Sequence, residues 1–242
     1  MERWSGRVAV VTGASSGIGA SIAEELVKKG LKVVGLARRV ERVEELSKSL
    51  KSPKGVLHAV KCDITKEAEV KKAFEWIKSK LGGVDILINN AAVAKEASLI
   101  DGPPEDLRSM LDLNIMGLSM CTQEALKSMK ERGVDDGHIV HINSVAGHAP
   151  PMDLYCMYSA TKHAVTALTE GLRKQLIKQK SKIRVTSLSP GLVKTEMPPE
   201  EFLNNMPYLE ASDIADACLY VLGVPAHVQI HEIMVRPVGE SF

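Results

Sequence analysis

The sequence has few cysteines, no long apolar run and no excess of charge of either sign. Its four cysteines are widely spaced and include no C-x-x-C pair, which favours reduced thiols over a disulfide framework. No apolar stretch approaches the ~18 residues of a membrane span, and the polar start MERWSGRVAVVTG is not typical of a signal peptide. The 31 basic and 30 acidic residues give a net charge of +1. We therefore expect a cytoplasmic protein with no membrane span and no nucleic-acid partner.

The sequence also lacks the patterns that are typical of a metal site and of a serine hydrolase site. The seven histidines show no metal-ligand spacing, so we predict no metal. His138 and His141 are three apart on a predicted strand, where they point to opposite faces. Ser144 has no G-x-S-x-G elbow around it and no histidine clearly posed as its base, which argues against a hydrolase.

Short apolar segments alternate with longer amphipathic ones along the whole chain. The pattern predicts strands near residues 7–12, 32–36, 56–61, 84–89, 138–143, 183–188 and 230–235. It predicts helices near residues 17–29, 40–50, 66–81, 104–131, 157–180 and 211–223. Buried strands separated by helices are typical of right-handed βαβ crossovers. The sequence thus predicts one α/β domain over residues 1–242, a Rossmann-like doubly wound parallel sheet of about seven strands with helices on both faces.

A glycine-rich turn joins the first predicted strand to the first predicted helix. Glycines let the backbone turn tightly and approach a pyrophosphate, whose charge is favoured at a helix N-terminus. A glycine cluster can also be a plain strand-to-helix turn, but the strand before it and the helix after it favour nucleotide binding. The candidate cofactor residues in this turn are Gly13, Ser15, Ser16, Gly17, Ile18 and Gly19.

The second predicted strand ends in arginines and not in an acid. An acid at this place holds the ribose 2′-hydroxyl of NAD, whereas guanidinium groups accommodate a 2′-phosphate. Arg38 and Arg39 therefore favour NADP(H). The alternative is a pair of exposed arginines at the start of a helix.

Other predicted strands also end in residues suited to a cofactor, at the edge where doubly wound sheets bind ligands. Asp63 could accept a hydrogen bond from an adenine amino group or simply cap the next helix. The segment Asn89-Asn90-Ala91-Ala92 would pass beneath the cofactor. The turn Pro190-Gly191, followed by Thr195, could present backbone groups and a hydroxyl to a nicotinamide, although Pro-Gly also punctuates ordinary loops.

Tyr158 and Lys162 are four residues apart in a long amphipathic segment and so share one face of a helix. A free phenol has a pKa near ~10, and an ammonium one turn away lowers that pKa. Such a tyrosine can exchange a proton with an alcohol or carbonyl oxygen, whereas the alternative is a solvated Tyr–Lys pair. Ser144, at a strand end, could hydrogen-bond the same oxygen. Asn114, in mid-helix, could serve a buried polar network or contact a neighbouring backbone.

In this order, the motifs T-G-A-S-S-G-I-G, N-N-A, Ser144, Y-S-A-T-K and S-P-G resemble the short-chain dehydrogenase/reductase family over essentially the whole chain. The resemblance implies that Tyr158 is the acid/base and that Ser144 orients the carbonyl. It implies that Lys162 lowers the pKa of the phenol and binds the nicotinamide ribose, and that Asn114 holds a water of a proton relay.

The resemblance also implies further contacts to the cofactor. They are Asp63 and Ile64 at the adenine, and Asn90, Val193 and Thr195 at the nicotinamide half, next to Ala91, Pro190 and Gly191. The chain departs from the family at Ala92, where the family has glycine. If this position needs a positive φ, the added Cβ strains the turn.

Three stretches, MKERGVDDGHIVHINSVAGH, YSATKHAVTALTEGLR and PAHVQIHEIMVRP, resemble the branch that contains insect NADP-dependent farnesol dehydrogenases and vertebrate relatives acting on steroids. This resemblance implies reversible hydride transfer between NADP(H) and a hydrophobic alcohol or carbonyl, with farnesol or a related isoprenoid first. A 17-beta- or 3-ketosteroid, or a general carbonyl substrate, is the alternative. A non-catalytic dinucleotide-binding regulator is the alternative from another class.

Two irregular segments, residues 145–156 and the substrate loop near 193–210, could supply an apolar pocket. Its candidate residues are Met152, Leu154, Met197, Phe202, Leu203, Met206 and Tyr208. The predicted helices 104–131 and 157–180 carry apolar residues on more than one face, and these helices pair in the resembled family. We therefore expect a homodimer or homotetramer.

Overall fold

The structure, a computed structural model that describes residues 1–50, 54–150 and 152–240, contains a seven-stranded sheet between two layers of helices. The strands are β1 Val8–Thr12, β2 Lys32–Ala37, β3 Val56–Lys61, β4 Ile86–Asn89, β5 His138–Ile142, β6 Arg184–Pro190 and β7 Glu232–Val235. The helices are α1 Gly17–Lys28, α2 Val40–Ser49, α3 Glu67–Leu81, α4 Pro104–Leu111, α5 Leu118–Glu131, α6 Cys156–Lys178, α7 Glu200–Asn205 and α8 Ala211–Gly223.

The strand order is β3-β2-β1-β4-β5-β6-β7, and every neighbouring pair is parallel. The chain builds one half of the sheet outward from β1 and then crosses to β4 to build the other half. The carboxyl ends of β1 and β4 therefore flank the point where the winding reverses, which is where such sheets bind ligands. The predicted doubly wound α/β fold is confirmed.

Alternating side chains of each central strand enter two separate cores. On β1, Val8 and Val10 pack with α3 and α5, whereas Ala9 and Val11 pack with α1 and α8. Successive side chains of a strand point to opposite faces of the sheet. A strand that is apolar at nearly every position is therefore expected where helices cover both faces. No helix within the described ranges is long and apolar enough to cross a membrane.

The predicted helix 104–131 is present, with an internal irregularity that the sequence did not reveal. A π-helical turn at Asp112–Gly117 separates α4 from α5. Such a turn holds an extra residue and changes the direction of the side chains within it, and Asn114 lies there. Ala92 carries no backbone strain, because Lys180 is the only non-glycine residue with a positive φ in the described part of the chain.

Two histidines are buried on β5, on opposite sides of the sheet as predicted. His138 Nε2 lies 2.8 Å from Thr186 Oγ1, and His141 Nδ1 lies 2.9 Å from Thr169 Oγ1 of α6. Burial lowers the pKa of His141 to about 4 and also holds the pKa of His138 well below its ordinary value. Both imidazoles therefore remain neutral in the folded protein under mildly acidic conditions.

The free energy of unfolding is expected to decrease as the pH falls from about 6.5 towards 4. In that range the unfolded chain binds protons that the folded protein cannot, at a cost of about 1.4 kcal/mol per pH unit for each histidine. Urea unfolding at pH 7, 6 and 5 measures the slope. His141→Gln should make it shallower, whereas His227→Gln, at an exposed position, should not. A free energy that is flat between pH 6.5 and 5 would contradict the argument.

Candidate active site

A cavity of about 660 Å³ lies at the carboxyl ends of the strands. Its lining begins at Arg38 and Arg39, passes the glycine turn and the end of β4, and ends beyond Tyr158 at Met197 and Phe202. Of the predicted site residues, those that line it are Gly13, Ser15, Ser16, Gly17, Ile18, Arg38, Arg39, Asp63, Ile64, Asn90, Ala91, Ser144, Tyr158, Lys162, Pro190, Gly191, Val193 and Thr195. Gly19 and Asn114 do not line it.

The glycine turn is shaped by contacts that a side chain would break. A Cβ at Gly13 (φ +68°) would lie 2.9 Å from Ala91 Cα, and a Cβ at Gly17 (φ +54°) would lie 2.9 Å from Thr195 Cγ2. A Cβ at Gly19 would lie 2.4 Å from Gly13 O, so a side chain there would disrupt the turn although Gly19 does not line the cavity. The backbone thus stays close to the cavity, as a bound pyrophosphate requires.

Helix α1 points its N-terminus into the cavity. It begins at Gly17, and the preceding Ser16 makes no side-chain cap to its first N–H groups. Gly17 and Ile18 both line the cavity. Uncapped N–H groups and the helix dipole together favour an anion. The residues present therefore fit a dinucleotide whose pyrophosphate lies against this turn.

Asn90 ties the end of β4 to the glycine turn. Its side-chain Nδ2 donates to Thr12 O at 2.9 Å, and its backbone N–H donates to Thr12 Oγ1 at 3.0 Å. The Ala91 N–H donates to the same hydroxyl at 3.0 Å. These bonds hold the two strands together at the point where the winding reverses, so Asn90 shapes the floor of the cavity.

Asp63 and the arginines form the other end of the cavity. The Asp63 carboxylate accepts from the backbone N–H and the hydroxyl of Thr65, at 3.1 and 2.8 Å, so it fixes a turn ahead of α3 and does not cap that helix directly. Arg39 donates to Ser16 Oγ at 3.0 Å. Arg38 makes no ion pair with the described residues and is available to an anion in the cavity.

Tyr158 and Lys162 share one face of α6, as predicted. Lys162 Nζ lies 5.7 Å from the centroid of the Tyr158 ring and donates to the Ile142 carbonyl at 2.9 Å. Ser144 follows β5, caps the turn after it by accepting from the Ala146 N–H at 3.1 Å, and hydrogen-bonds Tyr158. The hydroxyls of Ser144 and Tyr158 therefore meet at one place on the cavity wall.

The pKa of Tyr158 is raised to about 12, mainly by burial, and its hydrogen bond with Ser144 acts in the opposite direction. Burial also lowers the pKa of Lys162 to about 8. In this structure desolvation therefore outweighs any lowering of the phenol pKa by the charge of Lys162, which is directed at the Ile142 carbonyl, and the implied role of Lys162 stays a prediction. At neutral pH the phenol keeps its proton and is suited to donate it to a carbonyl oxygen.

Asn114 is 2% exposed and binds backbone on one side and α6 on the other. Its Oδ1 accepts from the Val93 N–H at 2.9 Å, and its Nδ2 donates to Val93 O at 2.9 Å and to Thr161 Oγ1 at 3.0 Å. The two alternatives predicted for Asn114, a buried polar network and contact with a neighbouring backbone, are therefore both present. The role in a water relay stays a prediction.

The apolar end of the cavity contains only part of the expected set. Met152, Met197 and Phe202 line it. The prediction is wrong for the other four residues, Leu154, Leu203, Met206 and Tyr208, which do not line it. Tyr208 instead stacks under Lys194, whose Nζ lies 5.2 Å from the ring centroid. Three of the five expected apolar residues in the loop after Thr195 therefore lie outside the lining of the cavity.

The lining residues that were not found from the sequence include Tyr155 and Glu196. Tyr155 stands three residues before Tyr158, a spacing that places it on the same side and could have revealed it. Glu196 follows Thr195, and its partners Arg39 and Arg42 are remote in the chain. No local pattern marks such a pairing.

Comparison with known proteins gives likenesses over nearly the full chain. A family model described as "short chain dehydrogenase" matches residues 7–205. The chain is 53% identical over 249 residues to a farnesol dehydrogenase of Aedes aegypti, covering 100% of both chains. It is 49% identical over 250 residues to dehydrogenase/reductase SDR family member 11 of Gallus gallus, covering 98% of each. A solved serine dehydrogenase complexed with NADP+ matches with a TM-score of 0.88 and 31% identity, over 97% of this chain and 96% of that one.

Replacing Tyr158 by phenylalanine is expected to reduce kcat by about 10²- to 10⁴-fold, because we predict that the phenol exchanges a proton with the substrate oxygen. The affinity for the reduced dinucleotide, measured by its fluorescence on binding, should change little. Tyr155→Phe is the matched control, since Tyr155 lines the same cavity and donates its hydroxyl to Glu96. A loss below tenfold, or equal losses in both variants, would contradict the assignment.

Proposed function

The chain belongs to the short-chain dehydrogenase family and is an oxidoreductase, and from this premise we propose that it transfers a hydride reversibly between NADP(H) and a hydrophobic alcohol or its carbonyl. Farnesol or a related isoprenoid alcohol is the first candidate substrate. The relative from Aedes aegypti, named farnesol dehydrogenase, supports this choice.

One observation carries the substrate class: the cavity next to Ser144 and Tyr158 is walled by apolar side chains. They are Val93, Ala94, Val145, Ala146, Met152, Met197 and Phe202. Nearby polar side chains are engaged elsewhere, since Asn143 donates to Thr166 Oγ1 and Tyr155 donates to Glu96. Few groups remain to bind several hydroxyls, which argues against a sugar or polyol and favours hydrocarbon.

In the proposed reaction, each reactive side chain has one task. NADP(H), when bound, supplies or accepts the hydride. Tyr158 gives a proton to the carbonyl oxygen in reduction and takes the alcohol proton in oxidation, and Ser144 hydrogen-bonds the same oxygen. Lys162, held by the Ile142 carbonyl, keeps a positive charge beside the Tyr158 ring and favours the phenolate when the proton leaves.

The preference for NADP(H) rests on the arginine end of the cavity. Arg38 and Arg39 line it, and no acid stands at the end of β2. A guanidinium binds a phosphate through charge-assisted hydrogen bonds, whereas NAD(H) has only a ribose hydroxyl there. A solved relative in this fold is complexed with NADP+.

A homo-oligomer remains a prediction. Three apolar side chains of the helices expected to pair are exposed, with Leu111 at 40%, Met116 at 53% and Leu168 at 37%. Their burial against a second copy of the chain would remove apolar surface from water. The role of the segment near 193–210 as a substrate loop likewise remains a prediction, supported by Met197 and Phe202, which line the cavity.

Cofactor preference is expected to depend on Arg38 and Arg39. Arg38→Ala should weaken NADP+ binding by about tenfold or more, the lower end of what a charge-assisted hydrogen bond contributes. Binding of NAD+, the internal control, should be unchanged. Titration calorimetry with both dinucleotides measures the two affinities. Equal catalytic efficiency of the unmodified protein with NADP+ and NAD+ would contradict the proposed preference.

Catalytic efficiency is expected to rise from prenol through geraniol to farnesol, by roughly fourfold for each further methylene that becomes buried. Reduction of NADP+ in the presence of each alcohol, followed by absorbance, measures kcat/KM. Phe202→Ala should reduce efficiency with farnesol far more than with prenol, whereas Leu203→Ala, one residue further and outside the cavity, should not. A flat series, a polyol that outperforms farnesol, or a steroid that outperforms every prenol would rule out the isoprenoid choice.

A further inference from the structure

Glu196 bridges Arg39, which lines the arginine end of the cavity, and Arg42, which lies in the first turn of α2 next to it and does not line the cavity. Its Oε2 lies 2.9 Å from Arg39 Nη2, and its Oε1 lies 2.5 Å from Arg42 Nη1. Each carboxylate oxygen thus has its own guanidinium. Arg39 is also bonded to Ser16 of the glycine turn. The carboxylate therefore occupies guanidinium donors that, together with the Ser16 hydroxyl, could instead bind a phosphate.

The same short segment also reaches the opposite end of the cavity. Thr195, just before Glu196, packs so closely on the glycine turn that a Cβ at Gly17 would lie 2.9 Å from its methyl group. Met197 and Pro199, just after it, line the cavity, and α7 with Phe202 follows directly. The ion pairs of Glu196 thus connect the segment that borders the apolar end of the cavity with the arginine end.

The cluster is weak enough to exchange. The side chains of Arg39, Arg42 and Glu196 are 49%, 46% and 53% exposed, and ion pairs this exposed contribute little to stability. A dianionic phosphate carries more charge than a carboxylate and fits the same planar donors. The carboxylate and a phosphate of a ligand cannot occupy the arginines at once.

We propose that Glu196 is an internal competitor for the 2′-phosphate at Arg39 and Arg42, and that exchange of carboxylate for phosphate releases the segment 196–199 over the apolar end of the cavity. This role rests on the proposed preference for NADP(H). A dinucleotide without the 2′-phosphate leaves the ion pairs intact, so the two dinucleotides produce different states of the segment that borders the substrate. Glu196 is thus a specificity-determining residue that couples the adenosine end to the substrate end.

The first test is the affinity of the unmodified protein and of Glu196→Gln for NADP+ and NAD+, by titration calorimetry. Removal of the competing charge should tighten NADP+ binding by about three- to tenfold, the range that two exposed ion pairs allow, and leave NAD+ binding unchanged. Glu200→Gln is the matched control. It removes the same charge from the same segment, at a side chain that makes no ion pair with the described residues, and should change neither affinity.

The second test separates release of the segment from binding alone. Amide hydrogen exchange of residues 194–203 is compared with adenosine 2′,5′-bisphosphate, 5′-AMP or no ligand. The bisphosphate should speed exchange in the unmodified protein, and 5′-AMP should not. Glu196→Gln should exchange faster without ligand and should not respond further.

These outcomes distinguish the role of Glu196 from the cofactor preference. Equal affinity of the unmodified protein for NADP+ and NAD+ would contradict the preference. An unchanged NADP+ affinity in Glu196→Gln beside an intact preference would overturn the competition. Slower exchange with the bisphosphate, or the same response in both proteins, would overturn the release of the segment.

Discussion

The reactive end of the cavity depends on the buried ammonium of Lys162. A charge at 3% exposure is costly unless it is hydrogen-bonded, and the Ile142 carbonyl at the end of β5 provides that bond. Neighbouring bonds act in the same direction. Ser159 donates to Ala146 O at 2.7 Å and Thr166 donates to Gly147 O at 3.1 Å, which fixes α6 against the turn that Ser144 begins. Tyr158 and Ser144 are therefore held on the same part of the cavity wall with little freedom to move apart.

The dinucleotide end depends on a different constraint, the close approach of backbone to backbone. Gly13, Gly17 and Gly19 leave no room for a Cβ, and Asn90 and Thr12 bond the turn to the end of β4. Rigid contacts of this kind hold the N-terminus of α1 at the cavity without a polar side chain that would compete for its N–H groups. This end is thus fixed mainly by close packing of backbone, whereas the end at Tyr158 is fixed by side-chain hydrogen bonds to the backbone.

The segment after β6 is held differently. Its contacts with the rest of the molecule include exposed ion pairs of Glu196 with Arg39, just before α2, and with Arg42 of α2, which are individually weak. Its base is firmer, since the Leu192 N–H donates to the Glu240 carboxylate at 2.8 Å and Val193 bridges to Leu209. A firmly held base and a weakly held tip are what the proposed release of residues 196–199 requires.

The sequence by itself determined the sheet, its two covered faces and the succession of motifs along its carboxyl edge. Because side-chain direction alternates along a strand, the sequence of β1 predicts which face of the sheet each residue covers. A spacing of four residues likewise places Tyr158 and Lys162 on one face of a helix. Only the tertiary structure decided the rest. The pKa of Tyr158 depends on how much water surrounds the phenol and on where the ammonium points, and both are set by packing. The π-helical turn that contains Asn114 has no recognisable sequence pattern. The pairing of Glu196 with Arg39 and Arg42 has none either, because these residues are remote in the chain and come together only in the folded protein.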